Sequence, residues 1–427
     1  MKPRGCKICK YLTNGLHCDI LQHITTCYQI RREKMSVRKR KWTTRSGEDR
    51  EAWVVDYTDQ HGERHIETFA RKKDADTRHG EVTVAVKKGL HVAPSKSIML
   101  REAGENWIEH AEHELERTTV DQYRQHLKFH LLPFIGARKL TDITTDAVLD
   151  LETRLRKEGR SKVMVRKVLV SLGSILADAQ MRKQVGHNAV RDLRRARGRG
   201  KAHAVKREKT KLEVGKDIPS PTEVAAILAQ AKGRWRPLLL TAAFTGLRGS
   251  ELRGLRWSDV DLNANELHVR QRADRYNVIG APKTAASRRV VPFGKVVANT
   301  LKEWKLQCPP GDLVFPTKKG SVEYHTHIVN RGFIPAVSAA SVVTKNGKAK
   351  YTGLHALRHF YASLCINSRE HGGLGLLPKA VQERMGHSSI TMTYDLYGHL
   401  FPRGDDSKVL DAVEGALIGR SSSLVLD

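Results

Sequence analysis

His355-Ala356-Leu357-Arg358-His359, followed by Gly386-His387-Ser388-Ser389 and then by Tyr394 and Tyr397, is the stretch on which the reading of this chain turns. His355 and Arg358 stand three residues apart and share a helix face. Leu354, Leu357, Tyr361 and Leu364 recur at the spacing of a buried stripe. His359 falls nearer the buried side, where it is either a core histidine satisfied by a neighbour or a catalytic one. A His-x-x-Arg tetrad also occurs at His61 to Arg64, in a polar turn-like stretch, so the tetrapeptide alone carries almost no information. Order and context carry it.

Working upstream, Thr245-Gly246-Leu247-Arg248-Gly249-Ser250-Glu251-Leu252 follows the apolar run Pro237 to Phe244, a buried-helix candidate. Gly246 and Gly249 permit a tight reversal that leaves Arg248 pointing inward from a loop. Arg253 and Arg256 are expected on the following helix with Leu252 and Leu255, facing solvent or DNA. Leu267 to Arg270 alternates like a strand, and Arg289 to Pro292 reads as its partner after the turn-rich Pro282-Lys283-Thr284-Ala285-Ala286-Ser287. Two arginines, a lysine, two histidines and a tyrosine are thus available to surround one phosphodiester and attack it covalently.

Taken in order, Arg248, Lys283, His355, Arg358, His387 and Tyr397 resemble the tyrosine recombinases, in particular the phage and prophage integrases. The resemblance runs from about Ile218 to Pro402, and the phrases TGLRGSELRGLRW, PKTAASRRVVP, HALRHFYAS and MGHSSITMTYDLYGH carry it in combination. It implies a role for each position. Arg248 and Arg358 bind the non-bridging oxygens of the scissile phosphate, as planar forks suited to that task. His355 and His387 add hydrogen bonds that strengthen as charge builds. Lys283 protonates the departing 5′ oxygen, and Tyr397 is the nucleophile that forms a 3′-phosphotyrosyl bond. In the matching branch the nucleophile immediately precedes Gly-His, which selects Tyr397 over Tyr394, a residue one helical turn away that could present to a similar face. A free tyrosine has a pKa near 10, so roughly one in a thousand is ionised at neutral pH, and cations around the phosphate are expected to lower that value.

Composition fits such a partner. Lys and Arg total 75 against 46 Asp and Glu, a formal net charge of +29, which favours salt-sensitive phosphate contacts without showing sequence specificity. A ribosomal or chromatin protein could look the same by charge alone. No run of about eighteen apolar residues suggests a membrane span, and the start does not resemble a signal peptide. Four of six cysteines fall in the first 27 residues, which does not suggest a secreted disulfide framework, so a reducing cytosol is the expected compartment.

The expected fold class is α+β and mainly α, in several domains. Residues 1–34 are a leader of uncertain status. Cys6, Cys9, His23 and Cys27 approach zinc-finger spacing there, but the apolar positions between them are poorly filled, so no metal is assigned. Residues 35–92 read as a small sheet plus a helix from Lys72 to Lys88, with alternating Trp53, Val55 and Tyr57, the turn Asp59 to Gly62 and a strand from Ile66 to Phe69. This resembles an arm-type DNA-binding domain. Residues 97–191 read as a helical core-binding domain, with an amphipathic helix from Thr119 to Leu131 broken at Leu132-Pro133-Phe134-Ile135-Gly136. Val165, Leu169, Leu172, Leu176 and Ala179 form its buried stripe. Residues 192–216 are a basic linker, as eleven Lys or Arg fall between 191 and 216. Ser220, Pro221 and Glu223 open the catalytic domain, 217–402, as a capping box. Residues 403–427 form a tail with a short amphipathic segment, Val409 to Leu417, that docks in cis or on a neighbouring subunit.

The function implied is site-specific integration: a homotetramer on double-stranded attachment-site DNA, exchanging strands through a Holliday junction without metal or nucleotide cofactor. The setting is cytoplasmic, on the bacterial nucleoid, with room for a directionality factor and a host DNA-bending protein. A type IB topoisomerase-like enzyme and a catalytically idle DNA-binding protein are the alternatives.

Overall fold

The computed structural model describes residues 35–45, 47–198, 211–402, 410, 411 and 413–417. The leader with its four candidate zinc ligands lies outside these residues, as do the middle of the basic linker and most of the tail. The chain divides into two compact units, residues 1–202 and 203–427.

The first unit opens with an antiparallel sheet in the order β1 (Ser36–Thr43), β2 (Asp49–Thr58), β3 (Arg64–Phe69), covered by helix α1 (Lys72–Lys87). Val55 and Tyr57 on β2 pack against Ala75, Val82 and Val86 of the helix. The alternation marks β2 correctly, yet Val54 and Asp56 are buried as well, because Asp56 is pinned by Arg38 and Arg64 from the flanking strands. The basic first strand carries no apolar alternation, so periodicity does not reveal it.

A helical bundle follows: α2 (Leu100–Glu114), α3 (Arg117–His126), α4 (Thr145–Lys157), α5 (Lys162–Met181) and α6 (Ala189–Gly198). The stripe Val165, Leu169, Leu172, Leu176 and Ala179 lies in its core. The break expected within Leu132 to Gly136 falls at the end of that stretch, where Gly136 caps the helix. A π-helical turn, Leu127–Leu131, widens the backbone and leads into a helical turn, Leu132–Ile135, with Pro133 in its first positions, where a missing N–H costs nothing. The basic stretch expected as linker from residue 192 begins as the body of α6. Its Leu193 is buried and its Arg197 pairs with Glu152.

The second unit is built on α7 (Pro221–Gln230), capped as expected: Glu223 N–H donates to Ser220 Oγ and Ser220 N–H donates to Glu223. Helix α8 (Trp235–Thr245) runs through the core, followed by α9 (Gly249–Gly254). A small sheet, β4 (Val260–Asp261), β5 (Glu266–Val269) and β8 (Arg289–Pro292), is antiparallel, and the hairpin β6 (Arg272–Ala273) with β7 (Ile279–Gly280) is inserted between its last two strands. Then come α10 (Lys295–Gln307), α11 (Ile334–Ala339), α12 (His355–Ile366), α13 (Pro378–Met385) and α14 (Ile390–Tyr397). Among the described residues no helix is long and apolar enough to cross a membrane.

Arg253 and Arg256 correct the expectation for α9. That helix ends at Gly254, whose Cα packs so closely on the backbone of Arg272 that a Cβ would lie 2.8 Å from it. Arg253 is buried instead of facing solvent and donates to the carbonyls of Glu323 and Asp274. Arg256 lies beyond the helix and pairs with Asp259.

Candidate active site

Each candidate side chain is set by a local feature of the chain. Gly246 ends α8 in the left-handed region, at φ 62°, and its Cα lies against the Tyr361 ring, so the chain reverses there and presents Arg248 just ahead of α9. Arg248 donates from Nη1 to Glu251 Oε1 at 2.8 Å and from Nη2 to the Gly386 carbonyl at 2.8 Å. It also lines a cleft with Lys283, Thr284, Ser287, Ser388 and Met392. Arg358, on α12, is 3% exposed and donates to the Gly246 carbonyl and the Met385 carbonyl. Burial, reinforced by the Arg248 charge, lowers its pKa to about 9, which leaves it a cation at neutral pH.

Three successive carbonyls at the end of α13 therefore meet three different arginines: Arg384 meets Arg289 Nε at 2.7 Å, Met385 meets Arg358, and Gly386 meets Arg248. A helix C-terminus carries partial negative charge and unpaired carbonyls, so it can hold several guanidinium groups side by side. The same turn fixes His387. Gly386 takes φ 61°, and His387 Nδ1 lies 3.0 Å from Thr393 Oγ1, which fixes the orientation of the ring.

Tyr397 ends α14 with its side chain inward and is 1% exposed, whereas Tyr394 is 52% exposed. The two tyrosines do not share a face. Successive helical positions three apart differ by about 60°, and Tyr397 itself turns out of helical geometry at φ −127°, ψ 0°. Its ring stacks on His387, at 6.2 Å and 5°, and meets His359 at 5.8 Å. Its hydroxyl lies 2.7 Å from His359 Nδ1. The His355 ring in turn meets His359 edge-on at 5.1 Å. The following His399 is tied to the Leu212 carbonyl at 2.7 Å, which anchors the end of the tyrosine helix to the start of the unit.

Electrostatics follows from burial among cations. Desolvation, then Arg358 and Arg248, lowers His355 and brings His387 to about 3; desolvation, His355 and Arg358 bring His359 to about 4. All three are neutral at physiological pH. The expectation that cations lower the tyrosine pKa is not met: burial raises Tyr397 to about 12, and Arg358 offsets only part of that.

Two residues of the site were not singled out in the sequence. Glu251 is 2% exposed and takes Arg248 and Arg289 on its two oxygens; burial alone would raise its pKa, but Arg289 and Arg248 hold it at about 2. Its place three residues after Arg248, at a helix start, was a usable signal. Arg289 had none, since its partners lie 38 and 95 residues away. A separate apolar cavity of about 510 Å³ between Phe244, Phe293, Val297, Tyr361 and Leu364 is lined mainly by carbon and offers little to a phosphate.

The phage integrase family model matches residues 220–403, and that of the phage integrase central domain matches residues 100–196. The chain belongs to the phage integrase family of tyrosine recombinases. Among the chain's relatives, the ICEBs1 integrase of Bacillus subtilis is 25% identical over 296 residues, 66% of this chain and 74% of the relative. A tyrosine recombinase XerC-like protein of Caldanaerobacter subterraneus is 29% identical over 218 residues, 45% of this chain and 53% of the relative. The prophage integrase IntR of Escherichia coli is 27% identical, over 45% of this chain and 50% of the relative. With the last two, the match spans about half the relative's length. In fold, the chain is similar to the Tn1549 transposon integrase solved with transposon right end DNA, at a TM-score of 0.59 and 19% identity over 75% of this chain and all of that one. It is also similar to the lambda integrase, solved as a tetramer on a Holliday junction, at 0.52 and 17% over 82% and 96%.

Proposed function

We propose that this integrase cuts and rejoins DNA at specific sites through a 3′-phosphotyrosyl intermediate, with Tyr397 as the nucleophile. The observation that carries the reading is a buried tyrosine hydroxyl flanked by His359 and His387 and backed by Arg358, in the same unit as a cleft lined by Arg248 and Lys283. The phenol oxygen bonds to phosphorus as the bond to the 5′ oxygen breaks. The phenol releases its proton to solvent during attack, and Lys283 supplies one to the leaving oxygen and is reprotonated from solvent. Arg248 and Arg358 neutralise the non-bridging oxygens, while His355 and His387 donate as charge builds there. Attack by a new 5′ hydroxyl reverses the step and frees Tyr397. A phosphodiester is exchanged for a phosphotyrosyl ester of similar energy, so the sequence of steps needs no nucleotide.

The partners of the reading are double-stranded attachment sites and three further copies of the chain. The net charge of +29 supports the first, and the lambda integrase tetramer on a Holliday junction is the analogue for the second. A directionality factor and a host bending protein are its optional accessories, and the bacterial cytoplasm, at the nucleoid, its setting. Suicide substrates, nicked so that the cut end diffuses away, test it. Tyr397→Phe should bind DNA and trap no covalent adduct, while Tyr394→Phe should trap it as the parent does. An adduct lost only in the Tyr394 variant would overturn the assignment.

A further inference from the structure

We infer that Arg289 is a positioning residue of this reaction, holding Arg248 through Glu251 and the His387 turn through the Arg384 carbonyl. The inference rests on the recombinase reading above. The side chain is 5% exposed and directs its donors to three parts of the site. Nη1 and Nη2 form a fork on the two oxygens of Glu251, at 3.1 and 2.8 Å. Nη1 also donates to the Ser287 carbonyl at 3.0 Å, at the end of the turn that carries Lys283, and Nε donates to the Arg384 carbonyl at 2.7 Å.

Glu251 links this fork to Arg248. The carboxylate accepts the Arg248 backbone N–H at 2.9 Å and Nη1 at 2.8 Å. Without Arg289, a buried carboxylate would be left with one guanidinium, and the attraction would draw Arg248 toward Glu251 and away from the cleft. With Arg289 in place, the charge of Glu251 is already answered, and Arg248 keeps its charge for a phosphate. Gly386 completes the fit: a Cβ there would come within 2.9 Å of Arg289 Nη1, so the turn before His387 closes directly over this guanidinium. One side chain thus sets the phosphate-binding arginine, the lysine turn and the second histidine against one another.

The test compares two substrates with the full-length chain. One carries an ordinary scissile phosphodiester. The other carries a methylphosphonate there, which is neutral and has no charge for Arg248 to offset. Arg289→Met should cleave the phosphodiester about 100-fold more slowly in a single turnover, with DNA affinity unchanged. On the methylphosphonate its deficit should shrink to less than about 10-fold, in parallel with Arg248→Ala, because both defects act through the same missing neutralisation. Arg289→Lys, which keeps the charge and loses the fork, should fall between; if the methionine variant does not fold, the lysine variant carries the same comparison. A rate equal to the parent on the phosphodiester, or equal deficits on both substrates, overturns the inference, since a purely structural defect does not sense the charge of the phosphate. A parent chain that forms no adduct overturns the recombinase reading and the inference with it. An active parent with indifferent Arg289 variants overturns the inference alone.

Discussion

Tyr397 and His359 form a pair whose energetics decide what the histidine can do. Burial pushes the phenol up to about 12 and the imidazole down to about 4, so the proton between them, across a 2.7 Å contact, rests on the tyrosine. His359 therefore holds the tyrosine as a neutral hydrogen-bond partner and does not ionise it. Deprotonation must accompany attack, when a phosphate anion enters the field of the arginines. Positioning of this kind is sensitive to small displacements. His359→Ala should slow adduct formation on a suicide substrate by roughly 10- to 100-fold, while His359→Asn, whose side-chain amide can reach near the Nδ1 position, should recover most of the rate. Adduct formation by the alanine variant at the parent rate would remove His359 from this role. Helical spacing alone leaves this residue open between a satisfied core histidine and a catalytic one. The contact with a tyrosine 38 residues away makes it a satisfied histidine whose partner is the proposed nucleophile.

At the level of elements, what was legible in the chain was what periodicity and local chemistry encode. The stripe of α12 is buried at Leu354, Leu357 and Tyr361, the capping box of α7 is formed, and β5 pairs with β8, because each depends on residues close in sequence or on a simple repeat. The helical placing of Arg256 failed because a close backbone approach at Gly254, invisible in the sequence, ends the helix, and the solvent-facing expectation for Arg253 failed because its guanidinium finds the distant carbonyls of Glu323 and Asp274. The helix that the sequence ends within Leu132 to Gly136 does end there, at Gly136, because Pro133 sits in the first positions of a last helical turn that tolerates it. The arginine cluster at the end of α13 was equally hidden, since its members come from the start of α9, from β8 and from α12 and meet only in the folded unit. Gly386 tests that junction. It combines a left-handed backbone with crowding by Arg289, whereas Gly372 has φ 74° with nothing within 4 Å of where a Cβ would lie. Gly372→Ala should cost about 1 kcal/mol of stability from backbone strain alone. Gly386→Ala should cost more and should also slow cleavage, and the excess is read by comparing urea midpoints and adduct rates of the two variants. Equal losses at both glycines would mean that the turn before His387 is not held by the arginine beneath it.

Across the whole molecule the charge is spread over parts that have separate cores. The β1–β3 sheet with α1 packs on its own cluster, and the helices from Leu100 onward pack on another. The edge strand β1 presents Arg38, Lys39, Arg40 and Lys41 on its exposed face and along its rim. A small basic sheet tethered ahead of a helical bundle suits a second DNA contact, separable from the first. The boundary near Ser97 is chemically clean. Ser97 Oγ accepts from the Thr141 N–H, the Ile98 carbonyl accepts from Leu140, and Leu100 donates to Arg138, so the first backbone contacts of the bundle begin at that point. A chain starting at Ser97 gives up the hydrogen bond from Lys139 to the Pro94 carbonyl and the packing of Leu90 on Gly186, but retains the helical core and every residue of the proposed active site. It should still bind and cleave the strand-exchange site while failing to bind a second, distinct DNA sequence that the full chain binds. Each phosphate that the sheet neutralises should steepen the dependence of log affinity on log salt by about 0.9, so the full chain on DNA carrying both sequences should show the steeper slope. Binding titrations from low to physiological salt measure this directly. Equal affinity and equal slope for the two chains on that DNA would leave residues 35–92 without a role in DNA binding.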